Sequence, residues 1–110
     1  MEEYNYPIVS VESRSIRDDT NYQVQAKVVN LRICKVVQLN CIRKTNQTIN
    51  TSYTDVFTSI PNDLKPINML ISVTDNSDIT AQLSSANGIR AKAKTSGSYN
   101  FTVTFTYVII

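Results

Sequence analysis

Residues 99–107 alternate without a fault: Tyr99, Phe101, Val103, Phe105 and Tyr107 face one side, and Asn100, Thr102, Thr104 and Thr106 face the other. A period of two over this length predicts an antiparallel strand with one buried face. Ile79, Ala81 and Leu83 alternate with Thr80, Gln82 and Ser84, and Ile89, Ala91 and Ala93 with Arg90, Lys92 and Lys94. Asn87-Gly88 lies between these runs and predicts a hairpin, its tight turn using the positive φ angles these residues tolerate. Upstream, Tyr22, Val24, Ala26 and Val28 alternate with Gln23, Gln25 and Lys27. A strand from Ile33 to Arg43 follows, and the adjacent Val36 and Val37 predict cover on both of its faces. Ile49 to Phe57 reads as a weaker strand, and Met69, Ile71 and Val73 mark another.

Loops fall at Arg17-Asp-Asp-Thr, Thr45-Asn-Gln, Pro61-Asn-Asp and Asp75-Asn-Ser-Asp, so roughly seven to nine strands recur at about 10-residue spacing. No segment carries the period of a three-turn helix. The expected fold is all-β, an antiparallel β-sandwich over residues 21–110. Residues 1–20 form either an edge strand, through Ile8, Val9 and Val11, or an arm reaching a neighbour.

Composition agrees with strand over helix. Thr, Ser and Asn supply 34 of 110 residues, and Val with Ile supplies 23 against five Leu and five Ala. A chain of this length builds one core, burying roughly 60–70% of its unfolded surface. The net charge of +2 lacks the clustered basic excess of a nucleic-acid-binding domain. It is uneven, with −3 over residues 1–20 and +5 over the rest; the acidic start either lies across a basic face or is simple scatter. No stretch approaches the roughly 20 apolar residues that span a bilayer, and no signal peptide is expected at the start.

The absence of histidine removes His-based acid–base catalysis and most zinc sites. The aspartates Asp18, Asp19, Asp55, Asp63, Asp75 and Asp78 mostly stand in turn contexts, where their side chains cap local backbone. Asp75-Asn76-Ser77-Asp78 lacks the glycine and bidentate glutamate of a calcium loop. Cys34 and Cys41, on one strand, would lie roughly 23 Å apart on opposite faces. Two buried free thiols are therefore expected rather than a disulfide, which fits assembly in a reducing cytoplasm. No catalytic residue, metal site or cofactor is expected.

Candidate binding residues are few. Arg90, Lys92 and Lys94 share one strand face at about 7 Å spacing. They form either a solvated edge that blocks aggregation or a shallow site for an anionic glycan or polyol phosphate. Tyr53, beside Asp55, is the candidate sugar-stacking platform, whereas Tyr99 and Tyr107 belong to the inward row. Val108, Ile109 and Ile110 break the alternation with apolar side chains. They are either tucked under the sandwich or packed against copies of the chain.

Three stretches carry a family resemblance. They are Arg32-Ile-Cys-Lys-Val-Val-Gln-Leu-Asn-Cys41, Ile60-Pro-Asn-Asp-Leu-Lys-Pro66, and Asn87-Gly-Ile-Arg with Ser98-Tyr-Asn-Phe. In this order they resemble the C-terminal head domain of bacteriophage tail-fibre and baseplate receptor-binding proteins. Two glycines of the first family motif are Cys34 and Cys41 here, and Lys65 stands where arginine is commoner. The resemblance implies a compact, jelly-roll-like trimeric sandwich on a virion, made in the host cytoplasm. Its partners would be a host cell-envelope saccharide and other phage tail or baseplate proteins, without enzymatic activity. A structural virion domain that holds neighbouring proteins is the other expectation. A glycan-cleaving head would need a carboxylate pair about 5–9.5 Å apart.

Overall fold

The computed structural model describes residues 8–110. Among these, eight strands follow in order: β1 (Ile8–Asp18), β2 (Tyr22–Leu31), β3 (Lys35–Ile49), β4 (Thr54–Phe57), β5 (Leu70–Val73), β6 (Ile79–Ser84), β7 (Gly88–Ala93) and β8 (Gly97–Ile109). A single 3-10 turn spans Asn62–Leu64. The strands form two antiparallel sheets, sheet A in the order β1-β2-β3-β8 and sheet B in the order β4-β7-β6-β5. Hairpins make β1–β2, β2–β3, β5–β6 and β6–β7, while β3–β8 and β4–β7 pair strands far apart in sequence. Residues 1–7 of the expected arm lie outside the described residues; the rest of that segment is chiefly β1, at the edge of sheet A.

The alternating residues of the sequence face one another across the core. Val24, Ala26 and Val28 of β2, Val37, Leu39 and Cys41 of β3, and Phe101, Val103, Phe105 and Tyr107 of β8 are buried from sheet A. Sheet B answers with Val56, Phe57, Ile79, Ala81, Leu83, Ile89, Ala91 and Ala93. Each fully buried large side chain contributes about 1.5–3 kcal/mol through area removed from water.

Polar tips of tyrosines tie the layers together. The Tyr22 hydroxyl of sheet A donates to the Val56 carbonyl at 2.6 Å, and the Tyr107 hydroxyl donates to the Leu64 carbonyl. Near the sheet corner, the Thr102 amide donates to Asp75 Oδ1 at 2.7 Å, and the Asp75 amide donates to the Thr102 carbonyl at 3.1 Å. Asp75 thus completes the open edge of β8 at one residue, with backbone and side chain together. Beside the 3-10 turn, Arg14 holds both carboxylate oxygens of Asp63 at 3.0 Å, with Glu12 on its other side. That contact keeps the Asp63 carboxyl below the ordinary carboxylate range.

Several sequence expectations change. The β6–β7 connection is a three-residue loop, Ser85-Ala86-Asn87, with Ser84 opposite Gly88. Only Gly88 takes a positive φ, 67°, among the described residues, so Asn87 does not share the left-handed conformation. The strand expected from Ile33 starts at Lys35 and runs to Ile49, which leaves Cys34 just before it, half-buried, while Cys41 is buried. Both thiols are free, and burial pushes the Cys41 thiol up to about 12. Residues 49–57 are not one strand: Ile49 closes β3 and a turn separates it from β4. In β5 the phase is reversed, with Leu70 and Ser72 half-buried and Met69, Ile71 and Val73 exposed. Val36 is half-buried on the outer face of sheet A, and no described strand covers it.

Candidate functional site

The five candidate binding residues come together on the outer face of sheet B. Asp55 of β4 stands opposite Arg90 of β7, which in turn stands opposite Gln82 of β6. Arg90 Nε reaches Asp55 Oδ1 at 2.9 Å, so the two charges answer each other. Lys92 Nζ lies 5.0 Å from the centre of the half-buried Tyr53 ring, covering a face that a sugar would need for stacking. Lys92 and Lys94 share a depression of about 270 Å³ with Asp78, Thr51 and Thr80. Asp55 pairs with Arg90, and Asp78 shares the depression of Lys92 and Lys94, so the face carries both signs. β7 lies between β4 and β6, so the expectation that its cations guard a sheet edge is corrected. The alternation showed that Arg90 and Lys92 share a face; only the pairing of β4 with β7 reveals which carboxylate meets Arg90.

A second depression lies on the outer face of sheet A. It has a volume of about 370 Å³ and is lined by Ser13, Ser15, Gln25, Lys27, Gln38 and Asn40. Two register rows build it. Ser13, Lys27, Gln38 and Thr106 stand side by side across all four strands, and Ser15, Gln25, Asn40 and Thr104 form the next row. Outward alternation on each strand delivers these side chains, and neighbouring strands about 4.8 Å apart bring them within reach of one small ligand. Thr104 Oγ1 donates to Asn40 Oδ1 at 2.9 Å, which turns the Asn40 amide nitrogen toward other acceptors. Among the described residues, the side chains of Gln25, Lys27 and Gln38 have no hydrogen-bond partner. The lining therefore offers neutral donors and acceptors, with Lys27 as its charge; the Arg14 guanidinium is held by Asp63 and Glu12 instead.

Sequence reading missed this site because Gln25, Gln38 and Asn40 are ordinary polar positions of separate strands. The only signal available was the pattern of amides and hydroxyls on consecutive outward positions; the register that assembles them is nonlocal.

The next row along sheet A is apolar. Val11, Val29, Val36 and Val108 stand in register across β1, β2, β3 and β8. Val11 and Val108, the two ends of the row, are 55% and 48% exposed. Of the expected interface residues, Val108 and Ile110 are exposed, whereas Ile109 packs against the core. Val108 and Ile110 also line a groove of about 430 Å³ with Pro66, Ile67, Leu70 and Thr106.

Among the described residues no cluster of three or more metal-ligating side chains occurs, and no helix is long and apolar enough to cross a membrane. The chain matches no known protein family, no curated protein and no solved structure.

Proposed function

We propose that this chain is a non-enzymatic adhesion module, a receptor-binding head of the phage tail-fibre or baseplate kind that recognises a host cell-surface glycan. The observation that carries this reading is the depression on sheet A, where two adjacent rows present amides and hydroxyls. Saccharides offer hydroxyls that both donate and accept, and side-chain amides match them with one donor and one acceptor each. A shallow, hydrated site of this kind binds weakly on its own, and repeated copies on one particle raise the avidity without any new contact. Among the described residues no carboxylate lines the depression, so these supply neither half of a glycosidase acid–base pair.

The arrangement of the three resembling stretches supports the same reading. Lys35 of the first donates through Nζ to the Asp63 carbonyl of the second at 3.1 Å, and the third supplies β7 of sheet B and β8 of sheet A. The pairs β3–β8, β4–β7 and β5–β6 are nested, which supports a jelly-roll-like wrapping of the chain. A structural virion domain is the second reading, favoured by the exposed apolar groove beside β8.

Glycan-array binding of the purified chain tests the proposal, with Gln25→Ala and Asn40→Ala on sheet A compared with Lys92→Ala on sheet B. Loss of one amide contact is expected to weaken binding about five- to tenfold, with Lys92→Ala unchanged. A signal lost only in Lys92→Ala would move the site to sheet B. No glycan binding by the folded chain would overturn the adhesion reading.

A further inference from the structure

We propose that the open edge of β8, from Thr106 to Ile110, docks a second copy of this chain, the two β8 strands pairing antiparallel about a twofold axis near Val108. Along an antiparallel strand, backbone groups of alternate residues turn to opposite edges. The Thr102 amide and carbonyl both meet Asp75, on the side away from β3, and the Thr104 carbonyl accepts from Ser72 Oγ at 3.3 Å. Thr106 and Val108 have the same parity, so their amides and carbonyls face that edge too. No backbone hydrogen bond reaches them there among the described residues.

Charge separates this edge from the others. β1, the opposite edge of sheet A, carries Glu12, Arg14, Arg17 and Asp18, the kind of side chains that keep edges from pairing. β4 and β5 are edges of only four residues each. β8 is thirteen residues long, and residues 95–110 include no charged side chain. Its exposed end opens onto the apolar groove formed with Pro66, Ile67 and Leu70. An uncharged antiparallel edge is its own complement: a twofold axis sets Val108 beside its counterpart and carries Ile110 toward the Ile67–Leu70 wall of the other copy. The contact is reciprocal, as an isologous interface must be. Strand pairing with both grooves filled buries on the order of 1,000 Å², the lower range for a specific interface, so the dimer is a weak one. The resemblance implies a trimer, whereas this edge geometry closes with two copies.

Sedimentation velocity from about 5 to 300 μM reads the assembly directly, with circular dichroism confirming that each variant is folded. The wild-type chain is expected to approach twice its 12.4 kDa mass. Val108→Lys puts like charges beside the axis on an exposed position and is expected to remain at 12.4 kDa throughout. Val11→Lys alters the same apolar row three strands away and is expected to dimerise as wild type. The proposal is overturned by a wild-type chain that stays monomeric or reaches three copies, by a dimeric Val108→Lys, or by a monomeric Val11→Lys. The last outcome would assign association to the valine face instead of the edge. Glycan binding of the Val108→Lys monomer is scored separately, so failure of the dimer leaves the sheet A site to stand or fall on its own test.

Discussion

Gly88 closes the β6–β7 loop at φ 67°, and a Cβ there would lie 2.6 Å from the Phe57 carbonyl oxygen and 2.7 Å from the Thr58 Cα. Backbone conformation and backbone contact thus exclude a side chain together. Gly88→Ala is expected to destabilise the fold by about 2–4 kcal/mol, read as a lower urea midpoint at unchanged slope. Tyr107 is buried with its hydroxyl on the Leu64 carbonyl, and burial pushes its pKa up from 10.0 to about 12. Cys41 rises for the same reason from 9.0 to about 12. Both groups bind their proton more tightly in the folded chain, so their contribution is complete below pH 9 and is lost as pH climbs toward 12. Urea midpoints measured across that range are expected to fall, and Cys41→Ala to shift the onset toward pH 10, the ordinary tyrosine value. A flat profile would contradict the burial of both groups. The inward placement of Tyr107 was legible from alternation; its carbonyl partner, 43 residues away, was not.

At the scale of elements, the strongest periodic runs became strands in the expected phase: β2, β6, β7 and β8 bury the apolar member of each pair. β5 did not. Met69, Ile71 and Val73 outweigh Leu70 and Ser72 in a local count, yet the pairing of Leu70 with Leu83 and Ser72 with Ala81 fixes the opposite phase. A strand of four residues carries too little periodic signal to oppose that register. The contact between Asp75 and β8 was equally hidden, because an aspartate in Asp75-Asn76-Ser77-Asp78 reads as local turn chemistry. Its carboxylate instead accepts a long-range backbone bond. Asp75→Ala is expected to cost about 1.5–3 kcal/mol, the range for a hydrogen bond to a charged group, and to speed amide exchange at Thr102. Unchanged protection at Thr102 would show that this contact does not hold the sheet corner.

For the whole molecule, the decisive question is what lies over the outer face of sheet A. Its polar rows carry the proposed glycan site and its valine row ends at the edge proposed for the second copy, so binding and assembly occupy neighbouring stretches of one sheet. The Val108→Lys monomer is expected to keep its single-site glycan affinity while losing avidity on a multivalent surface. Biolayer interferometry at low and high glycan density measures that difference, and an equal loss at both densities would place the saccharide contact at the edge itself. The sequence by itself determined that the chain is built of strands and which faces of β2, β6, β7 and β8 turn inward, because these follow from period and propensity along one segment. Tertiary structure alone decided that Gln25 and Asn40 share a site, that Arg90 meets Asp55, and that four valines align across a sheet. Those facts depend on the register between strands distant in sequence, which no single strand encodes.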